Sequence, residues 1–266
     1  MGRFWIAALA VVMMSHHAAT AETVLLHAAG SLRGALTDVS AAFESQTGNK
    51  VQAKYGASGL LKDEIAGGAK AGVFASANMD HPQALAKAGK SGPVVLFARN
   101  KLCALVRPGL TVTPATLLER MLDPAIKLGA STPRADPSGD YAFEVFSKAE
   151  AFKPGAKAML EGKALQLTGG PTSAAAPAGR SVYGWNVAEG RADIFLAYCT
   201  ATVTALRENP SQQQISLPDD LAVGADYGLT VLNDAPPAAY ALAMFILSGG
   251  QRILANHGFA VPGLAK

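Results

Sequence analysis

At 266 residues, half of them apolar and 16% charged, the chain suffices for one large domain or two modest lobes around a proper core. Its formal charge of +3 at pH 7 is spread thinly and shows no basic stripe, which argues against a nucleic-acid binder.

The first 21 residues read as a secretory leader. Arg3 supplies a positive start, Phe4 to Met14 form an 11-residue apolar run, and Ala19-Thr20-Ala21 is a small-x-small cleavage site. Cleavage after Ala21 removes one positive charge and leaves 245 residues beginning at Glu22. An uncleaved anchor is the competing reading, but 11 apolar residues fall short of the roughly 20 that span a bilayer. No cysteine follows the cleavage site, so a lipoprotein is not expected.

Beyond the leader, strand and helix patterns alternate, which indicates an α/β fold. A short strand, Val24 to His27, ends at Ala28-Ala29-Gly30-Ser31, and Leu32, Ala35, Leu36, Val39 and Phe43 then recur at helical spacing up to a stop at Gly48. Val51, Ala53 and Tyr55 alternate as a strand, Gly56-Ala57-Ser58-Gly59 follows, and a second helix carries Leu60, Leu61 and Ile65. Val73 to Ser76 is a third strand. Val94 to Val106 is a long β-like stretch, interrupted at Ala98 to Lys101, and reads as a crossing between lobes.

Further on, Pro114 opens a helix through Leu122, Lys127 to Ala130 is a strand, and Pro133 to Gly139 leads into a helix carrying Tyr141, Val145 and Phe146. Pro154 starts another helix. Thr168 to Gly179, rich in Gly, Pro, Ser and Ala, is a mobile surface loop and a candidate lid. Val182 to Glu189 is helical, Asp193 to Tyr198 is an apolar strand, and Tyr227 to Leu232 is the second crossing. One last helix covers about Ala238 to His257. The division expected is 22–98 with 226–266 as one lobe and 99–225 as the other.

Cys103 and Cys199 both lie in apolar, strand-like runs. An oxidising compartment allows a disulfide, and two buried free thiols are the alternative. Sequence does not supply the Cα separation that a bridge requires.

Ser31, Ser58 and Ser138 each stand at a strand-to-helix turn beside small residues: Gly30, Ala57 with Gly59, and Gly139. Such a turn exposes the unpaired N–H groups of a helix's first turn, with the positive end of its dipole. One serine alone is read as an N-cap; three, on segments either side of a crossing, suggest one anion held between two lobes. The turns are not P-loops, lacking Lys-Ser/Thr, and not nucleophile elbows, lacking Gly-x-Ser-x-Gly. His27, His81 and His257 are isolated in sequence, so neither a metal site nor a serine hydrolase is favoured.

Several segments, in order, resemble molybdate-binding periplasmic proteins of ABC importers. Ala28-Ala29-Gly30-Ser31-Leu32 is similar to their first signature and Tyr55-Gly56-Ala57-Ser58-Gly59-Leu60 to their second. Gly72 to Ala77 and Phe97-Ala98-Arg99-Asn100 resemble the next strand and the crossing. Pro137-Ser138-Gly139-Asp140-Tyr141-Ala142 resembles the third ligand loop, and Ile194 to Tyr198 the strand that ends in a ligand tyrosine.

The resemblance implies a two-lobed type II periplasmic binding protein, each lobe a sheet flanked by helices. It implies a tetrahedral oxyanion, molybdate or tungstate, held by neutral donors: Ser31 and Ser58, the Ser138 backbone N–H, the Tyr198 hydroxyl and a backbone donor near Arg180 to Val182. Gly30, Gly59, Arg134 and Arg180 are further candidates. It implies no cofactor, no catalysis, no protein ligands to a metal, a monomer, and a membrane permease as partner. The chain departs from the family at Gly72 and Asn78, where Asp is usual, at Gly30, where Ala is commoner, and at Tyr198-Cys199-Thr200. Arg134 or Arg180 in the cleft makes a sulfate-like or organic anion the alternative. A secreted hydrolase using Ser31 or Ser58 is the rival from another class.

Overall fold

The computed structural model describes residues 21–260 and Pro262. Apart from Ala21, the expected leader lies outside them. Strand β1 (Thr23–Ala29) buries Val24, Leu26 and Ala28 completely. Through a 3-10 turn at Gly30–Leu32 it enters helix α1 (Arg33–Thr47), whose Ala35, Leu36, Val39 and Phe43 form the inward stripe that their spacing requires. Strand β2 (Lys50–Gly56) and strand β3 (Val73–Ser76) flank β1, both parallel to it, with helix α2 (Ser58–Ala66) between them in sequence. The carboxyl ends of the three strands therefore share one edge, which is where open α/β sheets hold ligands.

Helix α3 (Asp80–Lys87) leads to strand β4 (Val95–Val106), a single 12-residue strand. The interruption expected at Ala98 to Lys101 is only a register shift between Leu96 and Ala98. Next come helix α4 (Leu117–Leu122), strand β5 (Leu128–Ser131), helix α5 (Pro137–Ala149), helix α6 (Ala156–Lys163) and strand β6 (Leu165–Thr168). Helix α7 (Val182–Ala188), strand β7 (Ile194–Tyr198), helix α8 (Cys199–Glu208) and strand β8 (Gln213–Ser216) follow. The chain returns along strand β9 (Gly224–Val231) to helices α9 (Pro237–Leu247) and α10 (Gly250–Asn256).

The strands form one curled sheet in the order β2-β1-β3-β9-β4-β7-β5-β6, with β8 also on β4. Strand β4 changes partners midway: Val95 to Lys101 pair with β9, Leu102 to Val106 pair with β7, and Cys103 to Val106 also pair with β8. Strand β9 is antiparallel to both β3 and β4. These two long strands thus join the β1–β3 side to the β5–β7 side. Strands β5 and β6 run parallel to β7, so their carboxyl ends too share an edge. The result is a mixed α/β architecture of two lobes with helices on the sheet faces.

Three local outcomes differ from the sequence reading or extend it. The last helix is two, α9 and α10, bent by 52° at Ser248-Gly249. Gly250 explains the close packing there: a Cβ on it would lie 3.0 Å from the Phe245 carbonyl and 3.3 Å from Val39. The helix expected from Pro154 starts at Ala156, after Gly155 in a left-handed conformation (φ 86°). Cys103 and Cys199 form a disulfide, with Cα atoms 4.9 Å apart. It ties β4 to the first residue of α8, directly after Tyr198.

Candidate functional site

The edges where the parallel strands end face a cavity of about 980 Å³. Gly30, Ser31 and Ser58 line it from the β1–β3 side, and Tyr198 lines it from the end of β7. Of the four principal residues read from the sequence, the fold brings Ser31, Ser58 and Tyr198 to one space.

Each is held differently. The Ser31 hydroxyl is 3.0 Å from the Tyr227 hydroxyl. Tyr227, fully buried on β9, also accepts from Asn100 Nδ2 at 3.3 Å, and the same amide donates to Thr200 Oγ1 at 2.8 Å. A polar chain therefore runs from the first serine turn through both connecting strands to α8. The Ser58 hydroxyl, 1% exposed at the start of α2, accepts from the Ala77 backbone N–H at 3.1 Å, which aims the α2 turn along the end of β3. Tyr198 is 1% exposed, and among the described residues its hydroxyl has no hydrogen-bond partner within 3.5 Å, with the Tyr227 hydroxyl nearby. Its ring packs against Tyr227 and Tyr141 with centroids 5.7 and 6.3 Å away. Burial raises the pKa of all three phenols, and of Tyr183, well above the usual value, so they stay neutral donors.

Ser138 has a different place from the one expected. It is completely buried behind the cavity wall, and its backbone N–H is donated to Asp136 Oδ1 at 3.1 Å. Asp136 is the N-cap of α5, with Pro137 in the first turn, so the helix end is already satisfied by a carboxylate of its own. The Ser138 and Ser131 hydroxyls behind it are buried with no partner within 3.5 Å among the described residues, both near the Tyr183 phenol and Ser131 near the Asp136 carboxylate. The expected backbone donor near Arg180 to Val182 is also spoken for at two positions: Arg180 N–H goes to the Pro177 carbonyl, and Ser181 N–H to Glu208 Oε1 at 2.7 Å.

Gly59 joins the two sides rather than lining the cavity. Its N–H donates to the Ala135 carbonyl at 2.8 Å, and a Cβ there would lie 2.3 Å from the Arg134 carbonyl. The Tyr141 hydroxyl adds a second crossing bond, to the Ala77 carbonyl at 3.3 Å. Arg134 is exposed, adopts φ 67°, and is absent from the cavity wall. Arg180 does line it, ion-paired to Glu208 at 3.1 Å.

Four wall residues were not anticipated. Asp136 and Tyr183 line the interior, and Arg33 and Glu208 line it with Arg180. The Arg33 guanidinium lies 4.7 Å from the Tyr55 ring centroid. Asp136 matters most, because an acceptor stands in a site expected to hold donors alone. Burial pushes its carboxyl up to about 6, against the Ser138 N–H that favours the charged form. Asp136 directly before Pro137 is an N-cap signature that the sequence itself carries. The stretch Thr168 to Gly179, read as a candidate lid, supplies much of the remaining wall, including Gly169, Gly170 and Ser173.

A family model described as "Bacterial extracellular solute-binding protein" matches residues 24–260. Protein PM1146 of Pasteurella multocida (strain Pm70) is 34% identical over 233 residues, covering 87% of this chain and 96% of that one. Among solved structures, the Azotobacter vinelandii periplasmic molybdate-binding protein superposes with a TM-score of 0.69 at 19% identity, covering 90% of this chain and 99% of that one. The sulfate-binding protein SubI of Mycobacterium tuberculosis H37Rv does so with a TM-score of 0.72 at 19% identity, covering 91% and 88%.

Proposed function

The chain belongs to the bacterial extracellular solute-binding protein family, and we propose that it is the periplasmic component of an ABC importer that binds a tetrahedral oxyanion, molybdate or tungstate, between its lobes. The observation that carries this reading is the Tyr198 hydroxyl: buried, unpartnered and in the wall of the cavity that Ser31 and Ser58 share. A buried hydroxyl without a partner costs roughly 1–3 kcal/mol, which an anion accepting from it would recover. Ser31 and Ser58 add hydroxyls at helix starts, where the backbone field favours negative charge. The names of the molybdate- and sulfate-binding structural relatives support an oxyanion; the choice of molybdate rests on the signature segments.

We take 22–98 with 226–266 as one lobe and 99–225 as the other, hinged where β4 passes from β9 to β7. In this reading the leader is cleaved after Ala21, the protein works as a monomer, and the closed form docks on a membrane permease. The hydrolase reading loses support, because the Ser31 hydroxyl meets Tyr227 and the Ser58 hydroxyl meets a backbone N–H. His257, the histidine with a carboxylate partner, pairs with Asp38.

A second reading, a small organic anion, is favoured by the cavity size and by Arg33 and Arg180 in its wall. A cavity of about 980 Å³ lies at the upper end of the roughly 300–1,000 Å³ typical of small-molecule pockets. A thermal-shift panel separates the two. Stabilisation by molybdate and tungstate at micromolar concentration, with little from sulfate or small carboxylic and phosphorylated acids, supports the first reading; the opposite ranking replaces it with the second.

A further inference from the structure

Asp136 places an acceptor among the donors of the candidate site. It lines the same cavity as Ser31, Ser58 and Tyr198, and it caps α5 through Oδ1. Its other oxygen lies over Gly169, where φ is 79° and a Cβ would come within 2.4 Å of the Asp136 Cβ and 2.6 Å of Oδ2. The chain thus keeps a glycine, in a backbone conformation that glycine favours, where any side chain would displace the carboxylate.

A carboxylate and a dianion brought to hydrogen-bond distance in a cleft that closes around its ligand would repel strongly once desolvated, unless a proton lay between them. Resting on the reading of this cavity as an oxyanion site, we infer that a proton bridges Asp136 and the bound anion. A fully deprotonated ion such as molybdate must then bind together with one proton from solvent, which adds to the Asp136 carboxylate and points its O–H at an oxyanion oxygen. An oxyanion carrying its own hydroxyl donates to the carboxylate directly and needs no proton.

Burial and, more weakly, the negative charge of Asp140 further along α5 favour the protonated form of Asp136, against the Ser138 N–H and the nearby Ser131 hydroxyl. Tyr183 on α7 and Tyr198 on β7 are neutral phenols held far above their usual range. In the cavity wall, Arg33 and the Arg180–Glu208 pair complete the charged groups. The raised pKa of Asp136 makes proton uptake affordable near neutral pH.

The test is calorimetric titration of the ligand-stripped mature protein with molybdate, in two buffers of different ionisation enthalpy, at several pH values between 6 and 8.5. Uptake close to one proton above pH 7 is expected, with affinity falling about tenfold per pH unit there. Asp136→Asn keeps an N-cap acceptor for Ser138 and offers a permanent N–H donor to the anion. That variant is expected to bind molybdate without proton uptake and with an affinity independent of pH. Ser58→Ala serves as the control that binds more weakly yet keeps the uptake. Binding by the wild type without proton uptake, or an unchanged pH slope in Asp136→Asn, overturns the bridge while leaving the oxyanion reading intact. No binding of molybdate or any other oxyanion by the folded protein overturns both.

Discussion

Tyr198 offers the cleanest mutation in the cleft, because among the described residues its hydroxyl has no hydrogen bond within 3.5 Å, only the Tyr227 hydroxyl as a neighbour. Tyr198→Phe removes a donor to the anion and no intramolecular hydrogen bond. Molybdate affinity is expected to fall about 10- to 100-fold, the equivalent of one hydrogen bond to a charged acceptor, with the melting temperature of the unliganded protein unchanged or slightly raised. Ser58→Ala is less selective, since its hydroxyl also holds the Ala77 N–H; both affinity and unliganded stability are expected to drop. Asp136 carries a pH signature in the unliganded state as well. Its folded pKa of about 6 lies above the ordinary 3.8, so its contribution to stability is fully present below the unfolded value and is lost as pH rises through 6. Urea unfolding of Asp136→Asn against wild type is therefore expected to show an advantage for the variant that grows from pH 4 to pH 8, reaching about 1–3 kcal/mol after solvent screening. At this scale the serine turns and Tyr198 were legible because small residues beside a hydroxyl are written into the local sequence. Tyr227 and Tyr183 were not, because only the tertiary fold brings β9 and α7 to the cleft.

At the level of elements, the start of α2 packs directly on the loop before α5. Gly59→Ala would place a methyl group 2.3 Å from the Arg134 carbonyl, and that carbonyl is backbone that cannot swing away. Closure is expected to fail or loosen. Small-angle scattering of the molybdate-saturated variant should show a larger radius of gyration than the saturated wild type, and affinity should fall more than tenfold. The Cys103–Cys199 bridge clips α8 to β4 next to Tyr198 and spans 96 positions in the chain. Its removal by Cys103→Ser with Cys199→Ser is expected to lower unfolding free energy by about 2–4 kcal/mol, measurable in guanidinium. The inward stripe of α1 and the strand β1 were readable from period alone. Strands β6 and β8 and helix α3 were not: Leu165–Thr168 and Gln213–Ser216 are four-residue strands with little buried surface, and tertiary pairing rather than pattern makes them strands. The bend between α9 and α10 escaped because the apolar run Ala238 to Leu247 continues past Gly249-Gly250 into Ile253 and Leu254 with helical spacing.

For the whole molecule, the β1–β3 side of the sheet continues through β9 into β4, and β4 carries it on to β7. Strand β4 hands over from β9 to β7 at Lys101 and Leu102, next to Asn100, and Asn100 bonds to Tyr227 and Thr200. The cleft and the crossing are thus one connected region, and an anion held by Ser31 and Tyr198 as proposed would bear on both sides of it. The two-crossing layout was foreshadowed by the long β-like stretches at Val94 to Val106 and Tyr227 to Leu232; the single curled sheet that runs through them was not, since pairing partners are not written in a strand's own residues. The most direct test is calorimetric titration of the purified mature protein, stripped of ligand, with molybdate, using sulfate and phosphate as controls. Saturable one-site binding of molybdate at micromolar affinity or tighter, weakened in Tyr198→Phe, is the expected result. No heat from any of the three anions, in protein shown to be folded, would contradict an oxyanion site between the lobes.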